Sequence, residues 1–205
     1  MNLMTDSDKQ RIVEAIRRAE ARTSGELITV IAREADDYYY IPTLWAALTA
    51  LALPALVTVL ALQHSLLDSY GAQVTLFLLA TLLFRIPALK YRVVPKAVKR
   101  QRAARLAREQ FLMQNLHHTA GRTGIMLFVS VAERYVEVIA DKGINDAVEA
   151  GAWEDVVARF VARVKAGRIT EGFVDAVEAC GEHLARHFPV QAGDRNELPD
   201  HLIEL

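Results

Sequence analysis

Apolar residues form two long uncharged segments near the middle of the chain and shorter runs on either side. Residues 43–62 carry no charged side chain over twenty positions, which matches the roughly 20 residues that an α-helix needs to cross a bilayer. Residues 71–84 form a second uncharged segment, which can reach Leu89 if the stem of Arg85 extends toward the headgroups. The pattern predicts a transmembrane helical hairpin over residues 42–90, with its turn at residues 63–70. The alternative interpretation is a buried core helix followed by a core strand and helix.

Positive charge is concentrated directly after the second segment. Short loops rich in Lys and Arg stay in the cytoplasm, and residues 63–70 contain neither. We therefore expect both chain termini in the cytoplasm. The same basic residues are expected to contact anionic lipid headgroups. Because nothing in this run resembles a recognition motif with interleaved aromatics for stacking, and its charges fall where the positive-inside rule places them, nucleic acid is not expected as a partner. They are Lys90, Arg92, Lys96, Lys99, Arg100, Arg102, Arg105 and Arg108.

The N-terminal residues 1–41 predict one helix and one strand. Ser7 and Gln10 have the spacing of a capping box, and apolar residues then recur on one helical face. Residues 26–32 form an almost continuous apolar run, which is typical of a strand buried on both faces. A lone helix and strand cannot bury these surfaces, so we expect the segment to join a sheet made by the C-terminal residues.

The C-terminal part supplies the expected partners. Residues 124–131 and 135–140 read as two strands of a hairpin. A helix over residues 95–116 precedes them, a helix around residues 153–164 follows, and Thr170 can cap another that ends before Pro189. These elements predict an α/β sandwich split into residues 1–41 and 91–190 by the inserted hairpin. Residues 191–205 are expected to form a polar, loosely held C-terminal tail.

Four sequence pieces resemble the TPM domain family in their order and spacing. They are TSGELITV at residues 23–30, TGIMLFVS at 123–130, RYVEVIADKGI at 134–144 and GRITEGF at 167–173. The chain is similar in particular to the bacterial, membrane-anchored branch with a transmembrane hairpin inserted in the domain. That resemblance implies a TPM-like α/β sandwich and a place in the bacterial inner membrane. Phosphatase activity and divalent-ion binding have been attributed to some members of the family.

An acidic loop is the best candidate for a ligand site. Asp141, Asn145 and Asp146 follow the predicted strand 135–140 and offer hard oxygen ligands for Ca²⁺ or Mg²⁺, with Gly143 permitting a sharp turn. The resemblance adds to this, because ion-binding proposals for TPM domains centre on acidic residues near strand ends. Arg122-Thr123-Gly124 stands where the family carries Asp-Asn-Gly. The alternative is that Asn145 or Asp146 caps a helix.

Other candidate residues have a simpler explanation. Cys180 and Arg186 have the C-x5-R spacing of cysteine phosphatases, but Cys180 falls on the apolar face of a predicted helix and is expected in the core. As the only cysteine, it excludes an intramolecular disulfide and suits a reducing cytoplasm. His183 and His187 could share a metal, or lie in solvent near a helix end. His117 and His118, adjacent on a helix, are expected to diverge.

Two functions from different classes follow. The first is a non-catalytic interaction module, held at the inner membrane, that binds or stabilises membrane-protein partners. The alternative is a divalent-ion-dependent phosphatase acting on phosphate monoesters, with metal held by Asp141 and Asp146 and phosphate met by Arg134 or Lys142. No catalytic residue is assigned by sequence, and Ca²⁺ or Mg²⁺ is the only cofactor that the residues suggest.

Overall fold

The computed structural model describes residues 3–61, 66–149, 151–191, 193 and 196–205. The chain divides into two compact units, which we name the sheet unit, Met1–Ala35 with Arg102–Leu205, and the hairpin unit, Asp36–Gln101. The strands are β1 Glu26–Ala32, β2 Gly124–Ser130, β3 Tyr135–Ala140 and β4 Leu202–Glu204. The helices are α1 Asp6–Glu20, α2 Tyr40–Ala61, α3 Leu66–Leu83, α4 Pro87–Val93, α5 Lys96–Met113, α6 Lys142–Ala147, α7 Ala152–Lys165 and α8 Ile169–His187, with a 3₁₀ turn at Leu116–His118.

The sheet unit is built on a four-stranded sheet in the order β3-β2-β1-β4. Strand β1 runs parallel to β2, with Glu26 opposite Gly124 and Ala32 opposite Ser130. Strands β2 and β3 form the antiparallel hairpin expected from the sequence. Every residue of β1 and β2 is buried, as the continuous apolar runs predicted. The mixed α/β class and the long-range pairing of the N-terminal strand are therefore confirmed.

Alternating side chains of the strands form two apolar cores. On one face, Leu27 and Ile31 pack with residues from α1, α7 and α8, including Phe160 and Phe173 in edge-to-face contact at 5.1 Å between ring centroids. On the other face, Ile28 and Val30 pack with the end of α5 and the 3₁₀ turn. Because neighbouring strand residues point to opposite faces, one strand can fill both layers.

Two predicted helix caps are wrong. The capping box of α1 is formed by Thr5 and Asp8, two positions before the predicted pair. Thr5 accepts from the backbone N–H of Asp8, whose carboxylate reaches back to Thr5, so the helix begins two residues earlier. Helix α8 begins after Arg168, and the Thr170 hydroxyl instead donates to Asp8 Oδ1 at 3.0 Å.

The C-terminal residues contribute a strand, which corrects the expectation of a loosely held tail. Strand β4 pairs in parallel with β1, with Ile203 opposite Val30. The backbone N–H of Leu205 donates to Ile31 O, and that of Arg33 donates to Leu205 O, both within 3.0 Å. Lys9 of α1 also forms a salt bridge with Glu204 at 3.4 Å. Three residues are too few to show a strand period in the sequence.

The hairpin unit contains α2, α3 and α4. Helix α2 covers most of the first apolar segment and contains Pro54. Helix α3 already begins at Leu66, so the second half of the predicted turn at residues 63–70 is helical, whereas residues 62–65 lie outside the described residues. A cavity lined by residues near Pro54 and near Asp68 shows the end of α2 against the start of α3, as in an antiparallel pair.

Helix α2 is the one helix in the described residues long and apolar enough to span a membrane by itself. Helix α3 meets the same criterion only together with α4, from which it is bent by 105°. The predicted continuation of the second span to Leu89 is therefore wrong. Ile86 has an extended backbone (φ −68°, ψ 121°) before Pro87 at the start of α4, the conformation that proline favours in the residue before it.

Candidate functional site

Three carboxyl groups meet at the edge of the sheet unit where β1 begins. Glu20 ends α1, Glu26 begins β1, and Asp200 lies just before β4; all three line a cavity of about 280 Å³ together with Arg17 and Asn196. The Leu27 backbone N–H donates to Glu20 Oε1 at 2.8 Å. Sequence reasoning missed this cluster because its members are far apart along the chain and belong to no short motif.

Hydrogen bonds fasten the C-terminal segment to this cluster. Glu26 accepts from the backbone N–H of Glu197 at 2.9 Å and of Leu198 at 3.3 Å. The Glu197 carboxylate in turn accepts from the Ala120 N–H at 3.2 Å. Asp200 accepts from Arg17 Nε at 3.2 Å. These contacts place the segment before β4 across the start of β1.

The electrostatics of the cluster favour one shared proton. Burial, together with the nearby Asp200 and Glu26, raises the pKa of Glu20 to about 9 although the Leu27 N–H opposes the shift. Burial also acts to raise the pKa of Asp200, but hydrogen bonds from Glu20, Asn196 and Arg17 outweigh it and hold that pKa below its ordinary value. Glu20 is therefore the protonated partner and Asp200 the ionised one. This arrangement favours a structural role for the pair over metal binding.

The predicted acidic loop lies at the start of α6, after β3. Asp141 is the N-cap of α6, and its Oδ1 accepts from the Lys142 N–H at 2.7 Å. Asn145 Nδ2 donates to Ala140 O at 2.7 Å. Asp141 and Asn145 share one side of this turn, whereas Asp146 is displaced by about 100° around the helix. Helix capping thus falls to Asp141, not to Asn145 or Asp146.

One atom of the loop fits a cation. Asp141 Oδ2 is buried and has no hydrogen-bond partner in the described residues, and a carboxylate oxygen of this kind is a hard ligand. No group of three or more His, Cys, Asp or Glu side chains among those residues is placed to hold a metal ion. Ion binding by Asp141, Asn145 and Asp146 stays a prediction.

The sequence suggested that Gly143 permits a sharp turn. In the structure, glycine is needed there because the backbone of another segment comes very close. Gly143 lies inside α6, and a Cβ there would meet Arg122 O at 2.6 Å and Gly121 O at 2.7 Å. Gly124 is equally restricted, since its Cβ would meet Leu116 O at 2.3 Å. The acidic loop therefore packs against the segment that replaces the family's Asp-Asn-Gly. That segment offers Arg122, with a left-handed φ of 51°, in place of an acidic residue.

Cys180 is a core residue. It lies on α8, is 1% exposed and packs in the core with Leu184. Burial raises the pKa of its thiol to about 12, so the thiolate that a cysteine phosphatase needs does not form near neutral pH. Cys180 and Arg186 lie on the same helix, so no loop that could bind a phosphate separates them.

The histidines take part in ring contacts. His183 of α8 meets Trp153 edge to face, with ring centroids 5.6 Å apart, and burial lowers its pKa. His117 and His118 were expected to diverge, but their ring centroids are 4.0 Å apart. The side chains bend toward one another on the 3₁₀ turn, where Asn115 has a left-handed backbone.

The basic residues that the sequence predicted at the membrane surface differ in how far they are buried. Arg92, Lys96, Arg100, Arg105 and Arg108 are exposed, whereas Lys99 and Arg102 are half-buried. Lys90 is 8% exposed, and its Nζ lies 4.6 Å from the centroid of the Tyr91 ring. Lys90 is therefore a packed cation and not a surface residue.

Comparison with known proteins agrees with this architecture. The family model for the TPM domain matches residues 60–183, more than half of the chain, and the chain belongs to this family. Among solved structures, it is similar to the NMR structure of the BA42 protein from the psychrophilic bacterium Bizionia argentinensis. The TM-score is 0.60 and the identity 21%, over 99% of this chain and 96% of that one, which establishes a shared fold. None of the curated proteins matches the chain.

Proposed function

We propose that the protein is a TPM-like interaction module of the bacterial inner membrane. In this proposal residues 42–90 form a two-span hairpin inserted into a cytoplasmic domain made of residues 1–41 and 91–190, and the module binds or stabilises membrane-protein partners. The anchor is supported by one observation above all. Large apolar side chains on both α2 and α3 are exposed, among them Leu51, Leu60, Leu78 and Leu82.

Exposure of this kind favours a membrane helix over the core helix of a soluble protein. Only 22% of the apolar window in α2 is buried, whereas a core helix is buried on most sides. Tyr39, Tyr40 and Trp45 are exposed at the start of α2, where aromatic rings favour the membrane interface. Helix α3, with 18 residues, is about 27 Å long, close to the thickness of the hydrocarbon core.

The orientation follows from the exposed basic residues of α4 and α5. They lie directly after α3, on the side where the chain continues into the sheet unit, and short basic segments stay in the cytoplasm. Both termini would then be cytoplasmic. Arg92 and Arg100 are exposed and can contact anionic headgroups. We therefore assign contact with the membrane surface to these two residues and their exposed neighbours, and not to the buried Lys90.

A binding role is supported by how the reactive side chains are used. Cys180 fills the core, His183 packs on Trp153, and Glu20 accepts from the Leu27 N–H. Each contributes to a structural contact. What the sheet unit then offers to a partner is its charged outer surface, in which Arg163 of α7 and Asp175 of α8 form a half-exposed pair at 2.6 Å.

Purification from native membranes tests this proposal. The full chain in mild detergent should retain an integral membrane protein at a fixed ratio. A matched chain, with residues 1–35 joined by a flexible linker to residues 96–205, should lose it or bind it more weakly, because it lacks the anchor. Retention of no partner by the full chain, under conditions that keep it folded, would contradict the module.

The divalent-ion-dependent phosphatase is the second candidate, and the unpartnered Oδ2 of Asp141 favours it. Arg134 and Lys142 are exposed on either side of β3, but no contact joins them to that oxygen. A panel of phosphate monoesters, assayed with Mg²⁺, with Ca²⁺ and with a chelator, distinguishes the candidates. Metal-dependent hydrolysis by the wild type that is lost in Asp141→Asn would support the phosphatase and contradict the non-catalytic binding module.

A further inference from the structure

A small cavity in the hairpin unit gathers cationic and aromatic groups at one end of the paired helices. It has a volume of about 190 Å³ and is bordered by the start of α2, the end of α3 and the bend into α4. If the hairpin is inserted as proposed above, this end lies at the cytoplasmic headgroup level. Its main lining residues are Tyr39, Thr43, Thr81, Phe84, Arg85 and Lys90.

The two cations of the cavity are held differently. Lys90 is buried, and its Nζ lies 5.7 Å from the Tyr39 ring centroid and 4.6 Å from that of Tyr91. Its position is fixed by α4, where its backbone N–H donates to Ile86 O at 2.9 Å. Arg85 is exposed, and in the described part of the chain its guanidinium makes no hydrogen bond or ion pair.

The Thr81 hydroxyl is a donor of the cavity besides Arg85. Thr81 Oγ1 is buried and has no hydrogen-bond partner among the described residues, although it lies on the cavity wall. The nearby Thr43 hydroxyl, in contrast, is satisfied by Tyr39 O at 2.7 Å. A buried hydroxyl without a partner is costly, and a ligand oxygen would remove that cost.

The geometry points to a binding site for the phosphate of one anionic phospholipid. A phosphodiester accepts several hydrogen bonds and pairs with the Arg85 guanidinium, with the charge of Lys90 close by, and basic pockets between membrane helices on the cytoplasmic side recognise such headgroups. The cavity is far smaller than a whole lipid, so the acyl chains would lie outside it. Exposed Leu78 and Leu82 of α3 provide an apolar surface for them. This inference rests on the proposed membrane insertion.

The test is native mass spectrometry of the full chain in a non-ionic detergent with added phosphatidylglycerol or phosphatidylcholine. We expect the wild type to retain phosphatidylglycerol preferentially, in a ratio of one per chain. Arg85→Gln should weaken that retention about fivefold, the usual contribution of one cation near a lipid surface. Thr81→Val, which removes the hydroxyl and keeps the shape, should weaken it by a smaller factor.

Arg92→Gln is the matched control, since Arg92 is exposed on α4 and does not line the cavity. It removes the same charge from the surface that meets the headgroups in general, so it should weaken retention less than Arg85→Gln does. An equal loss in Arg92→Gln and Arg85→Gln would show diffuse attraction and overturn the site. So would displacement of phosphatidylglycerol by inorganic phosphate or glycerol phosphate, because a soluble phosphate would then be the ligand.

A separate measurement distinguishes failure of this site from failure of the proposed anchor. Membranes containing the wild type are washed with alkaline carbonate, which releases proteins that do not span the bilayer. Release of the wild type would overturn both the anchor and the site that depends on it. Retention in the membrane without a preference for phosphatidylglycerol would overturn the lipid site alone.

Discussion

Glu20 and Asp200, near opposite ends of the chain, both accept from the side-chain amide of Asn196, at 3.5 Å to Glu20 Oε2 and at 2.5 Å to Asp200 Oδ1. Glu20 also accepts from the N–H of Leu27 in β1, and Asp200 accepts from Arg17 of α1. The pair therefore connects the first helix, the central strand and the C-terminal segment. The contribution of this connection to stability depends on the proton that Glu20 holds.

Stability of the sheet unit should fall as the pH rises. Unfolded Glu20 loses its proton near its ordinary pKa of 4.5, whereas the folded protein keeps it to about pH 9. Since the folded state binds more protons in that window, this contribution is complete at its acid end and lost toward pH 9. The limiting slope for one proton is about 1.4 kcal/mol per pH unit, and partial exposure of the side chain narrows the pH range over which that slope applies.

Glu20→Gln should flatten this dependence, because the amide can donate to Asp200 at every pH. Denaturant unfolding at several pH values between 5 and 9 measures the slope. Glu14→Gln, an exposed position on the same helix, is the control and should keep the wild-type slope. Parallel profiles for all three proteins would show that Glu20 does not hold the proton.

Removing residues 191–205 should destabilise the sheet unit. The truncation deletes β4 and also the N–H groups that satisfy Glu26, which is only 6% exposed. A buried charged group that loses hydrogen bonds costs about 1 to 3 kcal/mol or more. Glu26→Gln in the truncated chain should recover part of the loss, since it removes the buried charge. Thermal melts check both, and an unchanged melting temperature after truncation would contradict the role of β4.

Cys180→Ser should lower stability by about 1 to 3 kcal/mol, because it places a hydroxyl without a partner on an apolar surface. Cys180→Ala, which leaves a smaller defect and no polar atom, is the comparison. The native thiol should also resist iodoacetamide at pH 8, given a pKa raised to about 12. Rapid alkylation of the folded protein would show that Cys180 is reached by solvent.

Calcium binding, if it occurs, should depend on Asp141. Calorimetric titration of the wild type with Ca²⁺ is compared with the double variant Asp141→Asn, Asp146→Asn, which should show no heat. Stability should change little, because Asn is about as good an N-cap as Asp; Asp141→Ala should cost about 1 kcal/mol. Equal heats from wild type and double variant would place the ion elsewhere.

Sequence patterns predicted the elements that have a clear period or an apolar run. The central strands Glu26–Ala32 and Gly124–Ser130 are examples, because burial on both faces leaves a continuous apolar signature. Contacts between distant polar residues leave none, so Glu20, Glu26 and Asp200 were missed. The short strand Leu202–Glu204 was also missed, since its place depends on β1. The break between the end of α3 at Leu83 and the extended Ile86 was missed as well, because apolar content does not show it.

The topology of the hairpin is the central claim, and cysteine accessibility in intact cells tests it most directly. In a Cys180→Ala background, Ser65→Cys marks the sequence between the two apolar segments, and Val190→Cys lies after α8. A membrane-impermeant maleimide should label position 65 in cells opened only to the periplasm and label position 190 only after lysis. Labelling of position 190 before lysis, or of neither position, would contradict a hairpin that crosses the membrane twice with both termini in the cytoplasm.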